Sequence, residues 1–237
     1  GTAGTVKIGD DAIFAVTFDE PVINVEANNF AVTGGSIASV VASAAGSDGF
    51  SDQWTVTVTP SADIEGNISL VLDTAGSIAD RADNSVYIDA GSATIIAVDT
   101  LAPTAPTVSI TNPSSQNVSA VNEQDMVAGL VISGTKEAGS SIDINFASDS
   151  HTINIAADDT TTWSHDIATG EMQTLISAIG QGVEESSISY VVTATDAAGN
   201  TSSTNATIGV DTIDPSSATV TSHDDASNDS YSTYVNN

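Results

Sequence analysis

The side chains whose type and placement suggest chemistry here are oxygen donors, not nucleophiles. Asp99 stands in Val98-Asp99-Thr100-Leu101-Ala102-Pro103, and Glu137 in Gly134-Thr135-Lys136-Glu137-Ala138-Gly139. Asp196 and Asn200 bracket Asp196-Ala197-Ala198-Gly199-Asn200. Carboxylate, amide and carbonyl oxygens suit a hard divalent cation. With no cysteine in the chain and only three histidines (His151, His165 and His223), scattered, the donor type fits Ca2+ better than zinc. A parallel set is Glu20 and Asp80, with Asp19 and Asp83 nearby, and a further pair is Asp211 and Asp214. A lone loop Asp is ordinarily solvated and caps its own turn, so only the combination points to a metal. Catalysis has no comparable set. No histidine has a Ser or Cys partner motif near it, and the neighbours Glu184-Glu185 and Asp158-Asp159 would point to opposite faces of a strand.

The elements that must position these groups are strands. Trp54, Val56 and Val58 alternate with Thr55, Thr57 and Thr59, and residues 12–18 alternate until Asp19-Glu20-Pro21. Further strands are expected within residues 22–32 and over 67–72, with a last one running into Asp99. In the second half, residues 106–110 and 127–133 read as strands. Ile142, Ile144 and Phe146 alternate, as do Ile153 and Ile155 on a partner strand. Trp163 opens another strand, and Ile188, Tyr190, Val192 and Ala194 alternate into the Asp196 loop. Residues 112–115 read as a turn, and Met172, Leu175, Ile176 and Ile179 have the spacing of one short helix. About seven strands with turn signals every eight to twelve residues describe a β-sandwich.

The punctuation repeats. Val98–Pro103 recurs as Val210-Asp211-Thr212-Ile213-Asp214-Pro215, and Asp80-Arg81-Ala82-Asp83-Asn84 precedes the first copy as the Asp196 loop precedes the second. A proline cannot extend a ladder, and the residue before it is held extended, so each copy ends one unit and stiffly opens the next. The fold class expected is therefore all-β: tandem immunoglobulin-like β-sandwiches joined by short prolyl linkers. The units are residues 1–100 and 101–212, with 213–237 the truncated start of a third repeat.

Charge bounds the partners. The 31 acidic residues outweigh three basic ones (Lys7, Arg81, Lys136) for a formal net charge of −28, which repels nucleic acid and anionic lipid. No apolar run reaches the length of a membrane span, and the first residues do not form a signal peptide; they read as a cut from a longer chain. A cysteine-free acidic β protein needs another staple, and bound cations supply one. In such a sandwich the loops holding Glu137 and Asp196 return to the pole where the linker delivers Asp99. Two bare carboxylates about 5 Å apart repel by roughly 3 kcal/mol at an effective dielectric of about 20, and a shared cation reverses that sign.

With these residues in view, the chain resembles the immunoglobulin-like extender repeats of giant bacterial repeats-in-toxin adhesins, the biofilm-forming and ice-binding surface proteins exported by type I secretion. Residues 98–103 and 210–215 match that family's Val-Asp-Thr-Thr-Ala-Pro joint. Residues 196–200 match its Asp-Ala-Ala-Gly-Asn loop, 134–139 its Gly-Thr-x-Glu-x-Gly turn, and Trp163-Ser164 its Thr-Trp-Ser strand. Phe18-Asp19-Glu20-Pro21-Val22 stands for the turn in the first unit, residues 80–84 lack the glycine, and Asp214 replaces the alanine before Pro215. The resemblance implies Ca2+-stiffened joints and a role as a spacer that extends an adhesive tip from the bacterial cell surface. Its partners are then neighbouring repeats of the same chain, and the chain is expected to be a monomer, not an enzyme. The alternative is a module that itself grips a sugar, protein or ice. Against it, Trp54 and Trp163 both fall at core phase, and outward threonines on one strand are ordinary β propensity.

Overall fold

The computed structural model describes residues 4–44, 46–88, 93–112, 120–122, 125, 129–146, 152–168, 171, 186–211 and 213. The expected turn at 113–115, the helix at 172–179 and the third repeat from 214 onward lie outside these residues. In the first part β1 (Ala12–Val22), β4 (Ser51–Pro60) and β3 (Gly35–Ala42) form one sheet in the order β1-β4-β3. The second sheet is β2-β5-β6, from β2 (Phe30–Thr33), β5 (Glu65–Leu72) and β6 (Thr94–Asp99). Val6 adds a parallel bridge to Val98 at the β6 edge.

The described residues from 109 to 210 follow a related plan. β7 (Ser109–Thr111), β9 (Leu130–Thr135) and β12 (Thr162–Ile167) make the sheet β12-β9-β7. The facing sheet is β11-β10-β13-β14-β8, from β8 (Ala120–Val121), β10 (Ser141–Phe146), β11 (Thr152–Ile155), β13 (Ser186–Thr195) and β14 (Thr201–Val210). β8 lies parallel to β14 as Val6 lies parallel to β6. In chain order β1, β2, β4, β5 and β6 therefore correspond to β9, β10, β12, β13 and β14. This is immunoglobulin-like topology, present twice.

Alternation explains the cores. Val56 and Val58 are fully buried and Trp54 nearly so, packed with Phe14, Ile68, Leu70 and Val98 in one cluster. A second cluster holds Ile132, Ile142, Ile144, Trp163, Ile188 and Val192. No described residue belongs to both.

Several strand bounds differ from expectation. β1 runs through Pro21 to Val22: Thr17 pairs with Gln53 but Val22 with Ser51, so residues 18–21 bulge out and the missing proline N–H costs no ladder bond. The strand expected over 127–133 begins at Leu130 and runs through Gly134 to Thr135, because Gly129, at φ 86°, turns the chain immediately before it. Residues 106–108 precede rather than form β7, and β5 starts two residues early at Glu65. β3 was not anticipated, because a register shift between Ile37 and Ser39 breaks its two-residue period.

Candidate functional site: the joint between the two sandwiches

The chain between the sandwiches is tied down almost residue by residue. The Asp99 N–H donates to Val6 O (2.8 Å) and the Thr100 N–H to Ile64 O (2.7 Å), while the buried Thr100 hydroxyl donates to Ser61 O (2.8 Å). On the other side the Thr104 N–H donates to Glu137 Oε2 (2.9 Å), the Thr204 hydroxyl to Pro106 O (2.6 Å) and the Thr107 N–H to Thr135 O (3.0 Å). Pro103 and Pro106 are buried. A linker anchored in this way has few free dihedrals left with which to hinge.

Asn200, 3% exposed, is the knot. Its Nδ2 donates to Asp196 Oδ2 (2.9 Å), Asp99 O (3.0 Å) and Leu101 O (3.3 Å). Its Oδ1 accepts the Ile8 N–H (2.9 Å). One amide thus joins the first sandwich, the linker and the Asp196 loop. The loop presents it because Asp196 Oδ1 accepts the Gly199 and Asn200 N–H groups (2.7 and 2.9 Å), a tight turn that Gly199 permits at φ 91°.

Asn200 joins the Asp196 carboxylate to the backbone carbonyl of Asp99, while the Asp99 carboxylate accepts from the Leu101 N–H and Glu137 from Thr104, three residues further along the linker. Asp80, at the far pole of the first sandwich, copies Asp196: its Oδ1 accepts the Ala82 and Asn84 N–H groups, and its Oδ2 the Asn84 amide, all at 2.8 Å. These bonds, led by the Asn84 amide, hold the Asp80 carboxyl below the usual range. Beside it Asp83 is exposed at φ 61°, and Arg81 pairs with Asp48 and lies over the Phe50 ring. Glu20 is exposed on the β1 bulge. Asp211 repeats Asp99: its Oδ1 accepts the Ile213 N–H as Asp99 Oδ1 accepts that of Leu101, both at 3.1 Å. Asp214 lies outside the described residues.

Among the described residues no three Asp, Glu or His side chains gather as a metal group. The donor type at the joint still fits a hard cation. Asp99, Glu137, Asp196 and Asn200 all offer oxygen donors, and no described hydrogen bond uses Asp99 Oδ2 or Glu137 Oε1, but the Lys7 ammonium also lies against the Asp196 loop at Gly199.

Sequence reasoning passed over Lys136, whose only signal was a lone cation in an acidic, glycine-flanked turn. It is buried, and its Nζ donates to Ser140 O (2.8 Å), Asp158 O (3.0 Å) and Asp158 Oδ1 (2.8 Å). An ammonium in an oxygen cage thereby braces the Glu137 turn. Bonding to Lys136, helped by Thr160, lowers the half-exposed Asp158 carboxyl to about 2. Since the folded value lies below the unfolded one, the pair's contribution is whole above about pH 4 and fades as the pH falls through about 2. Carboxyl NMR should find the Asp158 midpoint near pH 2, moving up into the ordinary Asp range in Lys136→Met.

Residues 2–98 match the family described as Bacterial Ig-like domain. The match covers the first sandwich and stops at the joint. No curated protein matches the chain. Among solved structures the chain is similar to a Ca2+-stabilized adhesin that helps an Antarctic bacterium reach out and bind ice, at 23% identity and TM-score 0.37, covering 90% of this chain and 50% of that one. It is similar to a 1.5-MDa bacterial ice-binding adhesin at 17% identity and TM-score 0.36, covering 88% and 61%. It is also similar to the Bacteroides ovatus mixed-linkage glucan protein SGBP-B at 12% identity and TM-score 0.22, covering 90% and 44%. The chain spans less than two thirds of each. The immunoglobulin-like assignment rests on the strand order and the family match. Among the described residues no helix is long and apolar enough to cross a membrane.

Proposed function

We propose that this chain is a structural extender segment of a bacterial cell-surface adhesin, of the repeats-in-toxin kind, with residues 1–100 and 101–212 as successive repeats. Its work is length and stiffness, with neighbouring repeats as its partners outside the bacterial cell. The observation that carries this reading is the Asn200 amide, bonded at once to Ile8, Asp99, Leu101 and Asp196. A hinge between independent binding modules would have no use for such a bridge. The two aromatics best suited to stack on a sugar, Trp54 and Trp163, are committed to the cores, with indole N–H groups given to Ser51 O and Thr135 O.

In this reading Ca2+ adds to the joint through Asp99, Glu137 and Asp196, relieving the repulsion among carboxylates held near the linker. At about 100 times its dissociation constant the ion adds about 2.7 kcal/mol to the ligated state. Calcium titration followed by calorimetry should raise the melting temperature in the native chain. Asp99→Ala should lose that rise while keeping both sandwiches folded. No rise in either protein would remove the cation from the account. Small-angle scattering tests the spacer itself: an extended two-body profile is expected, and a broad, collapsed distance distribution with calcium present would count against it.

A further inference from the structure

The chain has three basic side chains to set against 31 acidic ones, and two of them are committed inside their own sandwiches. Arg81 pairs with Asp48 over the Phe50 ring, and Lys136 is caged by Ser140 O and Asp158. The third, Lys7, belongs to the first sandwich but reaches the second. A Cβ added to Gly199 would lie 3.6 Å from Lys7 Cδ and 3.6 Å from its Nζ, so the lysine stem runs across the glycine of the Asp196 loop.

The backbone on both sides of Lys7 fixes this placement. The Val6 N–H donates to Ala97 O (3.0 Å), and Val6 O accepts the Asp99 N–H (2.8 Å). Lys7 O accepts the Asp10 N–H (3.1 Å), and the Ile8 N–H donates to Asn200 Oδ1 (2.9 Å). Lys7 is therefore held between the strand that ends in Asp99 and the loop that begins at Asp196. Gly199 supplies the room, since a side chain there would meet the lysine stem as well as the strain of φ 91°. Half-buried between the two sandwiches, the ammonium is less screened than one on an open surface.

We propose that Lys7 is the joint's own counter-charge and sets the calcium level at which the joint responds. The proposal rests on the reading that Asp99, Glu137 and Asp196 take up calcium. While the cation is absent the ammonium offsets those carboxylates, and it repels a divalent ion that approaches the same loop. The joint then holds in part without calcium, and answers only at concentrations above those that the carboxylates alone would need.

The test is isothermal titration of the whole chain with calcium chloride. Lys7→Met keeps an apolar stem over Gly199 and removes the charge, whereas Lys7→Arg keeps the charge. At about 0.1 M salt, where screening acts within about 10 Å, Lys7→Met should bind calcium roughly three- to tenfold more tightly than the native chain. The gap should close near 1 M salt, where screening acts within about 3 Å, and Lys7→Arg should match the native chain throughout. Equal affinity in the native chain and Lys7→Met would overturn the proposal, as would a gap that salt leaves unchanged or that Lys7→Arg shares. Melting in chelator reads the counter-charge without metal: Lys7→Met should melt below the native chain in dilute salt and level with it in concentrated salt. No difference there, with calcium still bound by the native chain, sinks the counter-charge alone. A native chain that binds no calcium sinks the cation reading, and the threshold with it.

Discussion

Asn200→Ala is expected to uncouple the two sandwiches. The substitution removes a buried amide that makes four bonds and leaves the Ile8 N–H and the Asp99 and Leu101 carbonyls without partners. Each lost bond is worth about 1 kcal/mol net, and a stranded group costs more until water reaches it, so the joint should lose about 2 to 4 kcal/mol. Because Ile8 is half exposed, water will rehydrate the opened joint and hold the loss to that range. The two cores share no described residue, so calorimetry should resolve one joint transition into two, while far-ultraviolet circular dichroism stays unchanged at low temperature. Asn200→Asp discriminates further. It keeps the shape but brings an acceptor to the Asp99 and Leu101 carbonyls, and should be nearly as damaging as alanine.

Gly134→Ala should damage the second sandwich more than any other single methyl. A Cβ at this position would sit 1.8 Å from Thr107 O and 2.6 Å from Thr107 C, with the Trp163 indole nitrogen at 3.0 Å on its other flank. Neither neighbour can yield cheaply. Thr107 is pinned to Thr135 by its own N–H and by the hydroxyl pair at 2.7 Å, and Trp163 is held by its bond to Thr135 O. Backbone displacement plus the lost Thr107 bonds should cost about 3 to 4 kcal/mol and lower the domain's midpoint by roughly 10 to 20 °C. The first sandwich should melt unchanged, which denaturation followed separately at Trp54 and Trp163 can establish. Gly134 therefore serves as a close-approach residue inside β9, where the linker crosses it, and not as a turn residue.

What the sequence disclosed and what it hid follow from the range of each interaction. Alternation is local, so the strands carrying Trp54, Val56 and Val58, or Ile142, Ile144 and Phe146, could be read directly, as could the repeat of Asp99 in Asp211. The bulge in β1 and the register shift in β3 are settled across the sheet, by Gln53 and Ser51 in one case and by Thr57 in the other, so neither had a local sign. The sequence places Asn200 in the loop that meets the joint, but its bond to Ile8, 192 positions away, has no sign within that loop. Lys136 was legible only as a charge, since its cage is completed by Asp158 from another loop.

The distance between the two sandwiches, measured by pulsed electron resonance, tests the joint most directly. The chain has no cysteine, so nitroxides can be placed cleanly through Gln53→Cys and Thr207→Cys, both exposed strand positions. An Asn200-centred joint predicts a single narrow distance distribution in the otherwise native chain that broadens when Asn200→Ala is added. A distribution already broad with Asn200 intact, or one equally narrow without it, would contradict a spacer held straight at that residue.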